Sequence, residues 1–202
     1  VQEVLRQIRP EGGHHEVPVG VSARHCHLSL EGLETLFGMG AILTVHRDLY
    51  QPGAFAAEQV VSLVGPRLRA LERVRVLGPT RDYNQVELAR TDAIYLGLDP
   101  PIRDSGDLEG AEEVTFIGPK GSFTQACAIR ATRHIHLSPE QAAQADLRGP
   151  ERVNVRVPGE KGLVFHNVRL KVSPGQLPEV HLDTDYANAS SVACGVTVTI
   201  EA

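Results

Sequence analysis

The chain has 202 residues, 42% hydrophobic but only 4% aromatic and with no Trp, so its core must be built from Val, Leu, Ile and Ala; that length allows one large domain or two small ones. A formal net charge of −5 and the lack of any basic, aromatic-studded strip leave no footprint for nucleic acid, and no apolar run approaches a membrane span. Three cysteines without CxxC spacing and the absence of a signal-peptide pattern lead us to expect a cytoplasmic, reducing setting.

In VQEVLRQIRP the apolar residues Val1, Val4, Leu5 and Ile8 form a helical stripe ended by Pro10, so residues 1–13 are expected to be a leader or targeting helix, with EGGHHE as a linker. From Val17 the texture turns to strand. VPVGVSA, QVVSLVG, RVRVLGP, NQVELAR, EVTFIGP, VNVRVPG, LVFHNVRLKVS and GVTVTIEA mix β-branched residues with period-2 alternation, and Gly/Pro turns punctuate them. Helices should be few and short. One follows a Ser29 cap, a second lies after Thr91, and a third follows a Ser138 cap with Pro139 at its first position. The expected class is mainly β with small capping helices.

SARHCHLS at Ser22–Ser29 and ATRHIHLS at Ala131–Ser138 repeat one frame 109 residues apart. Each half runs strand, His-x-His, Ser-capped helix, then a later VR(V/L) strand. Two related barrels meeting at a shared site are therefore expected. Residues i and i+2 of a strand share a face, so His25 and His27 aim at one point, as do His134 and His136. A single such pair reads most simply as a hydrogen-bonded surface feature. Two in matching frames favour first-row metal sites. Each would need a third ligand, for which His181 in EVHLDTDYANA and Glu87 in NQVELAR are both available. His14 and His15 fall in the linker, His46 in a loop and His166 within a strand, and these read as structural or incidental. Cys26, between two strand histidines, faces away from them into the core; Cys127 and Cys194 read as small core residues.

The blocks VPVGVSARHCHLS, QPGAFAAEQVVSLVGP, VRVLGP, QVELARTDA, PPIRDSGDLEG, ATRHIHLSPEQA, GLVFHNVRLKVSP and HLDTDYANA run in order over about residues 17–190. Together they resemble the phosphate propanoyltransferase family of the propanediol-utilisation type. The resemblance implies two small β-barrels capped by short α-helices, with strands exchanged between sequence segments. One barrel would comprise 14–23 plus 132–202, the other 24–131 with a lid at about 38–58. It implies two zinc ions, one held by His25, His27 and Glu87, the other by His134, His136 and His181; another divalent transition metal suits the same donors. Arg81 falls at the family's phosphate-binding arginine. Coenzyme A contacts map to Val21, Ser22, Ala23, Arg75 and Asn188, and to Arg67 where the family has a lysine.

The implied reaction exchanges a short-chain acyl group, propanoyl or acetyl, between CoA and phosphate, by direct attack of metal-bound phosphate on the thioester. No Gly-x-Ser-x-Gly elbow or activated Cys points to a covalent route. A metal-dependent thioester hydrolase and a non-catalytic, metal-stabilised scaffold module are the rival readings. A homo-oligomer is expected, as is a setting inside a bacterial microcompartment, with the N-terminus contacting shell or co-encapsulated enzymes.

Overall fold

Short strands of alternating β-branched and polar residues make most of this computed structural model, which describes residues 15–147 and 151–201. The expected leader at 1–13 and His14 lie outside the described residues. In chain order the elements are β1 (His15–Ser22), β2 (His25–His27), α1 (Leu30–Phe37), β3 (Val45–Asp48), β4 (Phe55–Val64), β5 (Ala70–Gly78), β6 (Gln85–Glu87), α2 (Arg90–Leu96), β7 (Ile102–Arg103), β8 (Glu112–Ile117) and β9 (Ser122–Ala131). There follow β10 (His134–Leu137), α3 (Pro139–Gln144), β11 (Arg152–Val157), β12 (Leu163–Val172), β13 (Glu179–Asp183), α4 (Thr184–Ser190) and β14 (Thr197–Glu201). The chain divides into two units, one of Val1–Ser22 with Arg133–Ala202 and one of Ala23–Thr132.

The first unit is a closed six-stranded barrel in the order β1-β13-β10-β12-β11-β14. Strand β1 comes from the start of the chain. It pairs parallel to β13 and antiparallel to β14, joining the two ends of a sheet otherwise built from the last third of the sequence. Period-2 alternation sends Val17, Val19, Ile135, Val153, Val155, Val168, Val180, Leu182, Val198 and Ile200 into the barrel. Burying side chains of this size stabilises by about 1.5–3 kcal/mol each.

The second unit closes as β4-β5-β2-β6-β9-β8, with β8 returning to β4. Strands β3 and β7 are added on β4 and β9. Its core gathers Cys26, Leu28, Val61, Leu63, Val74, Val76, Val86, Val114, Phe116 and Cys127. The chain is thus mainly β, two barrels with a few short helices, as the sequence leads one to expect.

Local chemistry sets the helix starts. The Ser29 side chain accepts from Gly32 N–H, and Ser29 N–H donates to Asn84 Oδ1 at 2.8 Å. Ser138 and Gln141 form a reciprocal capping box, with Pro139 opening the helix. Helix α2 starts from Ala89 without a side-chain cap.

Several expectations need correction. His15 and Glu16 belong to β1 rather than to a linker, and His46 lies in the exposed strand β3 rather than a loop. The run after His181 forms a fourth helix, α4, beyond the three expected, capped by the Asp183 carboxylate, which accepts from Asp185 and Tyr186 N–H. Cys26 and Cys127 are buried as expected, whereas Cys194 is exposed.

Candidate metal centres

Both His-x-His pairs stand on the outer wall of their own barrel, because the alternate residues fill the inside. In β2, Cys26 goes to the core and His25 and His27 point the other way; in β10, Ile135 and Leu137 go in and His134 and His136 go out. The two strands also have matching neighbours. Strand β2 lies between parallel β5 and antiparallel β6, and β10 between parallel β12 and antiparallel β13. Across the antiparallel seams, His25 faces Glu87 and His27 faces Gln85, while His134 faces His181 and His136 faces Glu179. The third donor of each set therefore comes from the same register position.

In the second unit His25, His27 and Glu87 bring one donor atom each to within 4.8 Å of one another. His25 Nδ1 donates to the Ala23 carbonyl at 2.9 Å, and a carbonyl can only accept, so Nε2 carries the lone pair. That lone pair faces Glu87 Oε2 at 3.5 Å. Two ligands about 2.1 Å from a tetrahedral zinc stand about 3.4 Å apart, so this spacing suits a shared cation better than a hydrogen bond. His27 is buried, and its Nδ1 has no hydrogen-bond partner of standard geometry. Burial first, then His25 and Arg81, lower its pKa to about 2, the Leu77 backbone opposing, so the ring is neutral and able to take a metal. Gln85, fully buried, donates from Nε2 to Glu87 Oε1 at 2.7 Å, leaving Oε2 toward His25.

Arg81 sits beside this centre. Its Nη1 donates to Tyr83 Oη at 2.7 Å and to Ser105 Oγ at 2.9 Å, and its backbone N–H donates to the Leu28 carbonyl. Ser105 Oγ also accepts from Gln85 Nε2 at 2.9 Å, and Gly106 N–H donates to Gln85 Oε1 at 2.7 Å. One hydrogen-bonded chain therefore fixes the guanidinium and the Glu87 carboxylate together.

In the first unit His134, His136 and His181 likewise converge within 4.8 Å. Their ring centroids are mutually 4.8 Å apart, and His134 Nε2 lies 3.1 Å from His136 Nε2. Burial first, then His181 and Lys171, lower the His136 pKa to about 4, with Glu179 opposing. His181 Nε2 meets Glu179 Oε2 at 2.7 Å.

A His₂Glu set and a His₃ set, three protein donors each, are donor chemistry that fits a divalent transition metal of the catalytic kind. The other sequence-derived residues are spread over both units. Val21 N–H donates to Cys194 Sγ at 3.3 Å, Ser22 pairs with Asp183, and Asn188 is exposed in α4. In the second unit Ala23 supplies its carbonyl to His25, and Arg67 Nη1 lies 3.4 Å from the Ile94 carbonyl. Arg75 Nη1 is held by the Ala57 and Glu58 carbonyls at 2.8 and 3.1 Å. Sequence reasoning missed Gln85 and Glu179 as partners of the candidate ligands Glu87 and His181, and Tyr83 and Ser105 as partners of Arg81. The i−2 spacing of Gln85 to Glu87 and of Glu179 to His181 was the available signal.

A family model described as phosphate propanoyltransferase matches residues 18–193. A phosphate propanoyltransferase of Lachnoclostridium phytofermentans is 48% identical over 202 residues, covering 99% of this chain and 94% of its own. One from Thermotoga maritima is 46% identical over 202 residues, with the same two coverages of 99% and 94%. One from Salmonella typhimurium is 42% identical over 192 residues, covering 94% of this chain and 90% of its own.

Proposed function

The chain belongs to the phosphate propanoyltransferase family, and on that premise we propose that it interconverts propanoyl-CoA and phosphate with propanoyl phosphate and CoA, taking acetyl-CoA as a smaller substrate. The observation that carries the reading is the pair of donor triads at equivalent register, one of them beside a tethered arginine. His25, His27 and Glu87 would hold one divalent ion, zinc first, and His134, His136 and His181 a second. Bound there, such ions supply Lewis-acid charge that strips water from phosphate and polarises the thioester carbonyl.

Arg81 receives the phosphate. Its guanidinium pairs with phosphate oxygens in a fork, and the Tyr83 and Ser105 oxygens fix its orientation before substrate arrives. Phosphate oxygen then attacks the carbonyl carbon, the tetrahedral adduct collapses, the C–S bond breaks, and the electron pair leaves with the CoA thiolate. Holding nucleophile and thioester together is worth up to about 7–11 kcal/mol in the best-oriented intramolecular cases. A protein nucleophile is unnecessary, and two of the three thiols are poorly suited to the role. Burial raises Cys127 to about 12 and pushes Cys26 higher still, with Cys127 adding to the effect on Cys26. Val21, Ser22, Ala23, Arg67, Arg75 and Asn188 are proposed CoA contacts. The proposed setting is a homo-oligomer in the cytoplasm, within a microcompartment reached through residues 1–13. Among the described residues no helix is long and apolar enough to cross a membrane.

The test runs the reaction from the phosphate side. Propanoyl phosphate and CoA, given to zinc-loaded protein, should yield thioester and inorganic phosphate in equal amounts. Absence of thioester, with bound metal confirmed, would overturn the reading, and propanoyl-CoA given without phosphate then separates the rivals: thiol release marks a thioester hydrolase, and none a scaffold.

A further inference from the structure

Glu179 faces His136 across the β10–β13 seam, the position that Gln85 holds opposite His27 across β2–β6. In each unit this residue bonds the third donor of the triad at 2.7 Å, two residues along the same strand. The polarity is reversed to match. Glu87 is a carboxylate that can only accept, and its neighbour Gln85 donates; His181 is an imidazole with one N–H to give, and its neighbour Glu179 accepts. Glu179 is 8% exposed, and a buried carboxylate is costly unless a charge or strong donor meets it.

The barrel makes room for this contact. A Cβ on Gly20, which pairs with His181 in β1, would stand 2.4 Å from Glu179 Oε1 and 3.1 Å from His181 Cδ2. Only glycine leaves the carboxylate where it is.

Resting on the metal reading above, we propose that Glu179 is a positioning residue. It holds His181 in the Nε2–H tautomer, so that Nδ1 is the atom given to the ion shared with His134 and His136. A ring nitrogen that donates to a carboxylate cannot also hold a cation, so Nδ1 is the remaining ligand atom. The carboxylate also places one negative charge beside a donor set that holds no anionic ligand of its own. Each centre then combines one divalent ion with one carboxylate, ligating in one case and one hydrogen bond removed in the other.

The test uses the full chain, stripped with a chelator and titrated with Zn(II) against a competing indicator. Glu179→Ala should lower affinity at one of two sites by about 10- to 100-fold, and the other site should be unchanged, which reports an intact fold. Glu179→Gln, which keeps an acceptor oxygen, should lose less than Glu179→Ala. Gly20→Ala should reproduce the selective loss by displacing the carboxylate. With ¹⁵N-labelled histidine and a spin-active cadmium isotope, coupling at His181 should appear on Nδ1 in the unsubstituted protein. Two sites of unchanged affinity in Glu179→Ala, or coupling on Nε2 of His181, would overturn the proposal. A chain that binds no metal before any substitution would overturn the metal reading itself, a separate failure.

Discussion

If Arg81 receives phosphate as proposed, replacing it should separate phosphate recognition from the rest of the chemistry. Its Nη1 is already committed to Tyr83 Oη and Ser105 Oγ, so the guanidinium is oriented before substrate binds and loses little freedom on binding. A hydrogen bond to a charged group contributes about 1.5–3 kcal/mol. At about 1.4 kcal/mol per tenfold, Arg81→Ala should raise the phosphate KM roughly 10- to 150-fold. Arg81→Lys keeps the charge but not the fork, and should fall between the two. The assay is initial-rate CoA thiol release from propanoyl-CoA at fixed zinc, with phosphate varied and bound metal measured in parallel. A lower kcat at unchanged phosphate KM, with metal retained, would refute the role given to Arg81.

Other outcomes follow from the same structure. His181→Ala should lose one of two bound metals and nearly all turnover, as measured by elemental analysis beside the rate; full activity with one metal gone would contradict the two-ion scheme. In the native protein a thiol reagent should modify Cys194 quickly, and Cys26 and Cys127 only on unfolding, because these two are buried and their pKa values are raised; mass spectrometry of labelled peptides reads this directly. Ile135, fully buried behind the His134–His136 pair, should cost about 3 kcal/mol on truncation to Ala. Denaturant unfolding would check it, and a loss below about 1 kcal/mol would show that the barrel interior is not packed as described.

Much of this was legible because it is local. Ser29 and Ser138 announce their helices by side-chain chemistry within three residues, and alternation in β11 and β14 marks buried and exposed faces directly. The repeated His-x-His frame is equally local. What escaped the reading depends on distant partners. Strand β9 carries an Ala-rich, weakly patterned sequence that holds as a strand because β6, β7 and β8 all pair with it. Helix α4 is the exception, since its cap is local: Asp183 accepts from Asp185 and Tyr186 N–H, but its pairing with the distant Ser22 makes it the end of β13 as well, and the strand texture hid the cap. Glu87 and His181 could be named as third donors, but their common position opposite the first histidine of each pair follows only from strand register. Cys194 looks like a core residue by composition, and only the path of the chain before β14 shows it exposed.

The central claim is that phosphate, rather than water, takes the acyl group. Thiol release from propanoyl-CoA by zinc-loaded protein, with phosphate raised from zero, tests it most directly. The account predicts negligible release without phosphate, then a rate that climbs and saturates as propanoyl phosphate accumulates in step. Release at zero phosphate that added phosphate leaves unchanged would contradict it and make the protein a thioester hydrolase.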